Sequence, residues 1–250
     1  MTAPAVLVTG GAKRIGAAIT RAFAQAGWHV VIHYGKSRAQ AEALAAELPS
    51  AEIVACELGD WNEGPAMAKA LAARLKDWRV LVNCAGVFDL DTAQDLAPAI
   101  FEKAMQVNAA TPARLGQTFL AHARSSTGRR LIHVTDQKLR NPNPDFFSYT
   151  MSKHALAATI PMLSMARMDS RDRVYGIAPG AILASHDQTE AETEISHRMN
   201  LLARKTTPQD IAEAALFLAG GWLASGETLY VDSGQHLMAQ DRDVLFLARQ

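Results

Sequence analysis

Tyr149 and Lys153 lie four residues apart in the segment YTMSK, at the start of a run with helical period. Residues at this spacing share one face of a helix. A free phenol has a pKa of about 10, and a neighbouring ammonium favours the phenolate. We therefore expect Lys153 to lower the pKa of Tyr149, so that the pair can pass a proton at neutral pH. The spacing alone is common on helices and needs a cofactor site nearby to carry meaning.

The segment TGGAKRIG, residues 9–16, predicts such a site. It stands between a short apolar run and a segment of helical period. Gly10 and Gly11 permit a tight turn, and Gly16 lets a helix pack closely. The free amides at the start of that helix can bind a pyrophosphate. In this context the glycines predict a nucleotide-binding turn.

The end of the second predicted strand, HYGKSR at residues 33–38, indicates which nucleotide binds. Sites for NAD usually carry an Asp or Glu there, which holds the ribose hydroxyls. None is present. Lys36, with Ser37 and Arg38, can instead pair with a ribose 2′-phosphate, and Arg14 adds a second positive charge. We expect NADPH as cofactor; the alternative is that Lys36 and Arg38 are solvated side chains at a helix start.

These residues need a scaffold, and the hydrophobic pattern predicts one. Short apolar runs alternate with longer segments of helical period, which predicts a parallel sheet with helices on both faces. We expect a single α/β domain over residues 1–250, a Rossmann-type doubly wound sheet of about seven strands. The first helix should run from Ile15 to Ala26 and end at Gly27. The strands are expected at 5–8, 29–33, 52–56, 80–83, 131–135, 174–177 and 228–231.

Composition excludes several classes of partner. The 25 Lys and Arg residues balance 25 Asp and Glu residues, so no net field is available to hold nucleic acid or an anionic membrane surface. The sequence has no leader pattern and no run of roughly 18 apolar residues, so we expect a cytoplasmic protein. Cys56 and Cys84 lack metal-ligand spacing and are expected to be reduced thiols in the core. His133 is likewise expected to be a core residue.

Three further segments carry expectations. The polar stretch after Pro179 and Gly180 predicts a substrate lid over about 183–205, with a solvated surface helix as the alternative. His186 and His197 lie in it and are expected at the surface. Phe217, Leu218 and Trp222 follow helical spacing and are expected to be packing residues rather than cofactor contacts. The apolar tail at 239–250 is expected to dock on its own domain or on a partner subunit.

Several motifs together resemble the short-chain dehydrogenases/reductases. TGGAKRIG, NCAG at 83–86, VN at 107–108, YTMSK and APG at 178–180 occur in that family's order across essentially the whole chain. The resemblance implies that Tyr149 is the acid, that Lys153 binds the nicotinamide ribose and that Asn108 supports a proton relay. It also implies a homotetramer packed through the helices that follow the fourth and fifth strands. The cofactor-binding residues it implies, together with those argued above, are Gly10, Lys13, Arg14, Ile15, Gly16, His33, Tyr34, Lys36, Ser37, Glu57, Leu58, Asn83, Ala85, Gly86, Thr135, Tyr149, Lys153, Pro179 and Gly180.

Asp136 departs from the family pattern. The position 13 residues before Tyr149 is normally a serine that steadies a substrate carbonyl. Thr135 is no substitute, because adjacent strand residues point to opposite faces. A carboxylate would repel the oxyanion that develops on a carbonyl, but it suits a ring that bears amino and imino nitrogens. Its alternative role is a cap with no substrate contact.

Asp136, Arg14, the segment HYGKS and Phe88 together resemble the pteridine reductase and dihydromonapterin reductase branch. The resemblance implies that Phe88 stacks on a pterin, that Arg14 lies near the pterin and the cofactor phosphates, and that Asp136, Tyr149 and Leu183 complete the substrate site. Phe88 has packing as its alternative role.

The expected activity is hydride transfer from NADPH to a 7,8-dihydropterin, such as dihydromonapterin, dihydrobiopterin or dihydrofolate. One alternative is a reductase of 3-oxoacyl or small ketone substrates, against which Asp136 argues. Another is an NADP(H)-binding sensor without catalysis, against which the joint presence of Tyr149, Lys153 and Asn108 argues.

Overall fold

The computed structural model describes residues 3–166, 169–185 and 187–250. Seven parallel strands form one sheet in the order β3-β2-β1-β4-β5-β6-β7, which confirms the doubly wound fold. The predicted strands are present, with small shifts at their ends. They are β1 (Ala5–Val8), β2 (His29–Tyr34), β3 (Ala51–Ala55), β4 (Trp78–Asn83), β5 (Arg130–Val134), β6 (Arg173–Pro179) and β7 (Thr228–Val231).

Helices cover both faces of the sheet. They are α1 (Arg14–Gln25), α2 (Arg38–Glu47), α3 (Glu63–Arg74), α4 (Pro98–Ala104), α5 (Thr111–His122), α6 (Phe147–Met165), α7 (Glu190–Ser196), α8 (Pro208–Ala219) and α9 (Val244–Leu247). Side chains alternate between the two faces of a strand. Val6 and Val8 therefore pack with α1 and α8, and Leu7 packs with α3 and α5. Burial on both faces explains why β1 is an unbroken apolar run.

The strand order places a crevice at one edge of the sheet. β1 pairs with β2 on one side and with β4 on the other, so the direction of winding reverses there. In open α/β sheets, ligands bind at such a reversal, outside the carboxyl ends of the strands. The segments that follow β1, β4, β5 and β6 carry the predicted motifs and meet at this edge.

The predicted lid region contains a short helix, α7. A capping box starts it, in which Thr189 accepts from the Glu192 backbone and Glu192 accepts from the Thr189 backbone. His186 lies outside the described residues. The tail packs on its own chain, since Val244 and Leu245 are buried there.

The packing expectation for the end of α8 is wrong for two of three residues. Leu218 is fully buried, but Phe217 is 50% exposed and Trp222 is 84% exposed. α8 ends at Ala219, so the helical period does not extend to Trp222, and Phe217 lies on the outer face of the helix.

Within the described ranges, no helix combines the length and apolar character needed to cross a membrane. The same residues contain no group of three or more His, Cys, Asp or Glu side chains arranged to hold a metal ion.

Candidate active site

A cavity of about 660 Å³ opens at the reversal point between β1 and β4. It brings together most of the predicted site residues from five separate segments of the chain. Its wall includes the predicted residues Gly10, Lys13, Arg14, Ile15, Gly16, Ala85, Gly86, Phe88, Thr135, Asp136, Tyr149, Lys153, Pro179, Gly180 and Leu183. Asn108 and the residues predicted at the ends of β2, β3 and β4 lie outside this wall.

The glycine turn is built for close approach. Gly10 has φ +63°, and a Cβ there would lie 3.0 Å from the Cα of Ala85. A Cβ on Gly16 would lie 2.1 Å from the carbonyl oxygen of Gly10, so the turn and α1 can meet only without side chains. Lys13 is the N-cap of α1 and makes no side-chain cap. The first amides of α1 therefore remain available to an anion.

Arg14 occupies a glycine-like position in this turn. Its φ is +54°, in the left-handed region that L-residues rarely adopt. Its side chain is exposed and lines the cavity, and its Nη2 donates to the carbonyl of Ala184 at 3.1 Å. The guanidinium thus connects the cofactor turn to the start of the lid.

His33 and Tyr34 lie at the end of β2, outside the cavity wall. The backbone N–H of Gly10 donates to Nδ1 of His33 at 3.0 Å, and Nε2 lies 2.9 Å from the carbonyl oxygen of Cys56. Burial lowers the pKa of His33, so the ring is neutral with its proton on Nε2. Because backbone groups occupy both nitrogens, His33 holds the glycine turn in place. The Tyr34 ring packs in the core.

The end of β2 offers an anion site near Lys36. Lys36 is exposed, and Ser37 is the N-cap of α2 without a capping hydrogen bond. Arg38 is engaged elsewhere, since its Nε donates to Glu42 at 2.8 Å. Lys36 and Ser37 therefore remain the candidates for the ribose 2′-phosphate at this end of β2.

Two predicted cofactor-binding residues, Glu57 and Leu58, follow β3. Glu57 is exposed, and its Oε1 accepts from the Gly59 backbone at 3.0 Å. Leu58 is buried, and its carbonyl oxygen accepts from the Thr111 hydroxyl at 2.8 Å. The Glu57 carboxylate is therefore accessible to a ligand, whereas the Leu58 side chain is not.

Asn83 is a correction. Its side chain is buried beneath the cavity, and its amide nitrogen lies 3.2 Å from both the Pro112 carbonyl oxygen and Nδ1 of His133. It connects the end of β4 to α5 and β5 and does not line the cavity. His133 is buried as expected. Burial, and then the charge of Lys153, lowers its pKa to about 3.

Asp136 and Tyr149 form the central contact of the cavity. The Tyr149 hydroxyl donates to Oδ2 of Asp136 at 2.6 Å, and the backbone N–H of Lys138 donates to Oδ1 at 2.9 Å. Burial raises the pKa of Asp136, although both hydrogen bonds oppose the rise. Asp136 also caps a single 3₁₀ turn at Gln137–Leu139. Asp136 thus caps the turn and also lines the cavity.

The pKa of Tyr149 moves against the sequence prediction. Burial raises it well above its usual range, and the charge of Asp136 raises it further. The Lys153 ammonium lies 5.6 Å from the phenol ring centroid and donates to the Val134 carbonyl at 2.8 Å. Burial lowers the pKa of Lys153 as well. Tyr149 is therefore a protonated hydroxyl held by a carboxylate.

Asn108 lies behind this pair, in a π-helical turn at Met105–Ala110. Its amide nitrogen donates to the Val87 carbonyl and to the Ser152 hydroxyl, each at 3.0 Å. Its Oδ1 accepts from the Val87 backbone at 2.8 Å. Asn108 thus ties the segment after β4 to α6, beside Gly86.

Phe88 is part of an aromatic cluster. Its ring stacks on Phe146 with centroids 4.0 Å apart and meets Tyr149 edge-on at 4.5 Å. Phe146 also stacks on Phe246 of the tail at 6.2 Å. Phe88 therefore packs in this aromatic cluster and also lines the cavity.

Sequence reasoning missed part of the wall. The lid contributes Ser185, Gln188, Ser196 and His197, and His197 is 4% exposed rather than at the surface. Lys138 lies two residues after Asp136, and a segment distant in sequence adds Gln235, Asp243, Val244 and Leu245. The apolar letters of the tail predicted that Val244 and Leu245 dock, but no pattern pointed to Gln235 or Asp243.

Comparisons with known proteins agree with this geometry. Residues 10–236 match the family described as Enoyl-(Acyl carrier protein) reductase. A 7alpha-hydroxysteroid dehydrogenase from Escherichia coli (strain K12) is 30% identical over 243 residues, which cover 91% of this chain and 92% of the relative. A putative ketoacyl reductase of granaticin polyketide synthase from Streptomyces violaceoruber is 26% identical and covers 94% and 97%.

A crystal structure of FolM alternative dihydrofolate reductase 1 from Brucella suis, in complex with NADP, superposes with a TM-score of 0.88. It is 30% identical and covers 96% of this chain and 97% of the other. The angucycline C-6 ketoreductase LanV with bound NADP has a TM-score of 0.82 at 28% identity, with coverage of 94% and 96%.

Proposed function

The chain belongs to the short-chain dehydrogenase/reductase family, and from this premise we propose that it is an NADPH-dependent reductase of a 7,8-dihydropterin. The oxidoreductase class follows from the family. The finer assignment, reduction of the N5=C6 bond to give the tetrahydropterin, rests on the site itself. The likeness to the Brucella dihydrofolate reductase in complex with NADP supports it.

The cofactor is NADP(H), and the residues present fit it. A glycine turn without side chains faces the uncapped start of α1, which suits a pyrophosphate. At the end of β2, Lys36 and Ser37 stand where an NAD site would carry an acid. Lys153 on the cavity wall would hold the nicotinamide ribose. When bound, NADPH supplies the hydride.

The hydrogen bond between Tyr149 and Asp136 is the observation that carries the substrate proposal. Asp136 occupies the place of a carbonyl-binding serine, and a carboxylate opposes the negative charge that develops on a reduced carbonyl. The same carboxylate accepts N–H groups from an aminopyrimidine ring. The raised pKa of Asp136 also lets it take up a proton more readily than an ordinary aspartate.

Reduction of an imine needs a proton at nitrogen as well as a hydride at carbon. Tyr149 is a protonated hydroxyl in the cavity and would deliver that proton, with Asp136 holding the ring edge beside it. The Lys153 ammonium helps to hold the Tyr149 ring through a cation–π contact. Phe88 offers an apolar surface for the ring, and Leu183 and Arg14 close the cavity on the lid side.

Two further properties are proposed. The first is a cytoplasmic location. The second is a homotetramer, packed through α4, α5 and α6. A surface groove among these helices is lined by Trp61, Phe101 and Met105, and Trp61 is 53% exposed. Sedimentation of the purified chain would give the mass of four copies if this packing forms.

The test is NADPH oxidation by the purified protein with 7,8-dihydromonapterin, dihydrobiopterin, dihydrofolate and a panel of simple ketones. The proposal predicts turnover of at least one dihydropterin and little or none of the ketones. Turnover of ketones alone would identify a carbonyl reductase. NADPH binding without turnover of any of them would indicate a non-catalytic binding protein.

A further inference from the structure

Lys138 is a buried lysine on the cavity wall. Its side chain is 4% exposed, and its ammonium donates to Oδ1 of Asn143 at 3.0 Å and to the Asp145 carbonyl at 3.1 Å. It also pairs with Oδ2 of Asp243 at 2.7 Å. All three ammonium hydrogens therefore have acceptors, and one acceptor belongs to the tail.

The same residue contacts the catalytic pair through its backbone. Its N–H donates to Oδ1 of Asp136, whose other oxygen accepts from Tyr149. This N–H and the ammonium belong to one residue, which lies in the single 3₁₀ turn that Asp136 caps. A shift of the Lys138 side chain would therefore act directly on the position of the Asp136 carboxylate.

Asp243 is itself held in place. Its backbone N–H donates to Oδ2 of Asp145 at 2.8 Å, and Arg242 makes two hydrogen bonds to the same carboxylate at 2.8 and 2.9 Å. Burial acts to raise the pKa of Asp145, but the hydrogen bonds from Arg242 and Asp243 outweigh it and lower the pKa. Val244 and Leu245, which follow, line the cavity.

We propose that Lys138 is a positioning residue for the Asp136–Tyr149 pair, and that Asp243 of the tail holds it there. This inference rests on the proposed function, since it assigns the pair its catalytic part. It adds that the tail completes the active site of its own chain, by anchoring a charge as well as by covering the cavity.

The charges around the Asp136–Tyr149 pair predict the direction in which each substitution shifts the pKa of Asp136. The charged and titratable groups that face the pair are Lys138 on the 3₁₀ turn, Lys153 on α6, Asp243 on the tail and Cys84 after β4. The Lys138 charge lowers the pKa of Asp136. The Asp243 charge raises the pKa of Tyr149 and partly neutralises Lys138. Removing Lys138 and removing Asp243 should therefore shift the Asp136 pKa in opposite directions.

The test follows the ¹³C carboxyl signal of Asp136 with pH in the full chain without substrate, with the signal assigned by its loss in Asp136→Asn. Lys138→Met should raise the Asp136 pKa, Asp243→Asn should lower it, and Lys138→Arg should leave it near the wild-type value. Lys69→Met removes an exposed lysine on α3 and should change nothing. Shifts of the same sign in Lys138→Met and Asp243→Asn, or no shift in either, would overturn the inference.

Kinetics give a second readout. Lys138→Met should lower kcat/KM for the dihydropterin by about tenfold or more, because a displaced Asp136 carboxylate misplaces both the proton of Tyr149 and the ring edge that it holds. Should Lys138→Met fail to fold because Asp243 is left buried and unpaired, Asp243→Asn and the neutral double variant Lys138→Met/Asp243→Asn decide the question. The titration needs no turnover, so absent dihydropterin reduction would sink the proposed function and leave the positioning claim to be judged on its own.

Discussion

The Tyr149 hydroxyl donates a 2.6 Å hydrogen bond to the Asp136 carboxylate. This contact reverses the electrostatic role expected for the tyrosine, because the nearest charge raises its pKa instead of lowering it. The site therefore holds a proton on the Tyr149 phenol and a carboxylate acceptor beside it. Reduction of a pterin imine would use the first to protonate nitrogen and the second to hold the N–H groups of the ring.

Tyr149→Phe removes the proton donor and leaves the ring packing with Phe88 in place. We expect kcat for dihydropterin reduction to fall by roughly 10²- to 10⁴-fold, the usual contribution of a general acid. The Kd for NADPH, read from cofactor fluorescence, should stay nearly unchanged, because Lys153 keeps its bond to Val134. Tyr175→Phe is the matched control, since that hydroxyl bonds to Leu223 away from the cavity. An active Tyr149→Phe enzyme would contradict the assignment of the acid.

Substitutions of Lys36 and Arg38 test whether these side chains bind the ribose 2′-phosphate or are only solvated at the start of α2. Lys36→Ala should weaken NADPH binding by about tenfold or more through loss of a charged phosphate contact, with little effect on NADH. Arg38→Ala should have a much smaller effect, since Arg38 pairs with Glu42. Titrations of each variant with both cofactors measure this difference. Equal losses in the two variants would show that Arg38 leaves Glu42 for the phosphate.

Arg14 combines backbone strain with a useful charge. Arg14→Gly should raise the free energy of unfolding by about 1 kcal/mol, because glycine adopts φ +54° without a Cβ penalty. Arg14→Ala retains the penalty and should show no such gain. Both variants lose the cation, so both should bind NADPH more weakly. Urea unfolding and cofactor titration on the two variants distinguish strain from charge, and equal stability of the two would argue against strain.

His133 makes stability depend on pH. Its pKa in the folded chain is about 3, below the unfolded value of about 6.5, so the unfolded chain binds the proton first. Its contribution is therefore present above about pH 6.5 and is lost as pH falls toward 3, at up to about 1.4 kcal/mol per pH unit. His133→Leu should flatten this slope in urea unfolding between pH 7 and 5. The exposed His122 provides the control His122→Gln, and an unchanged slope in His133→Leu would show that His133 is charged in the fold.

Local patterns account for what the sequence predicts well. The seven apolar runs become the seven strands, fully buried in β1 and β5 and partly buried at the edge strands β3 and β7. Gly27 ends α1 with φ +82°. Tyr149 and Lys153 share a helix, so their spacing alone places them on one side. The glycine turn follows from its position between β1 and α1.

Contacts between distant segments account for what the sequence does not predict. Lys138 pairs with Asp243, and Asn141 donates a hydrogen bond to Gln240, across about a hundred residues. No local sequence pattern predicts either contact. The Tyr149 pKa depends on which charge lies nearest, which spacing to Lys153 cannot decide. His33 fits a cofactor motif by position, yet its ring turns inward to the backbone of Gly10.

The central claim is that Asp136 selects a dihydropterin over a carbonyl. The most direct measurement compares the wild type with Asp136→Ser for NADPH oxidation with 7,8-dihydromonapterin and with a simple ketone. We expect kcat/KM for the dihydropterin to fall by at least about tenfold, the effect of losing one charge-assisted contact, while ketone turnover stays the same or rises. Unchanged dihydropterin turnover in Asp136→Ser would contradict the claim.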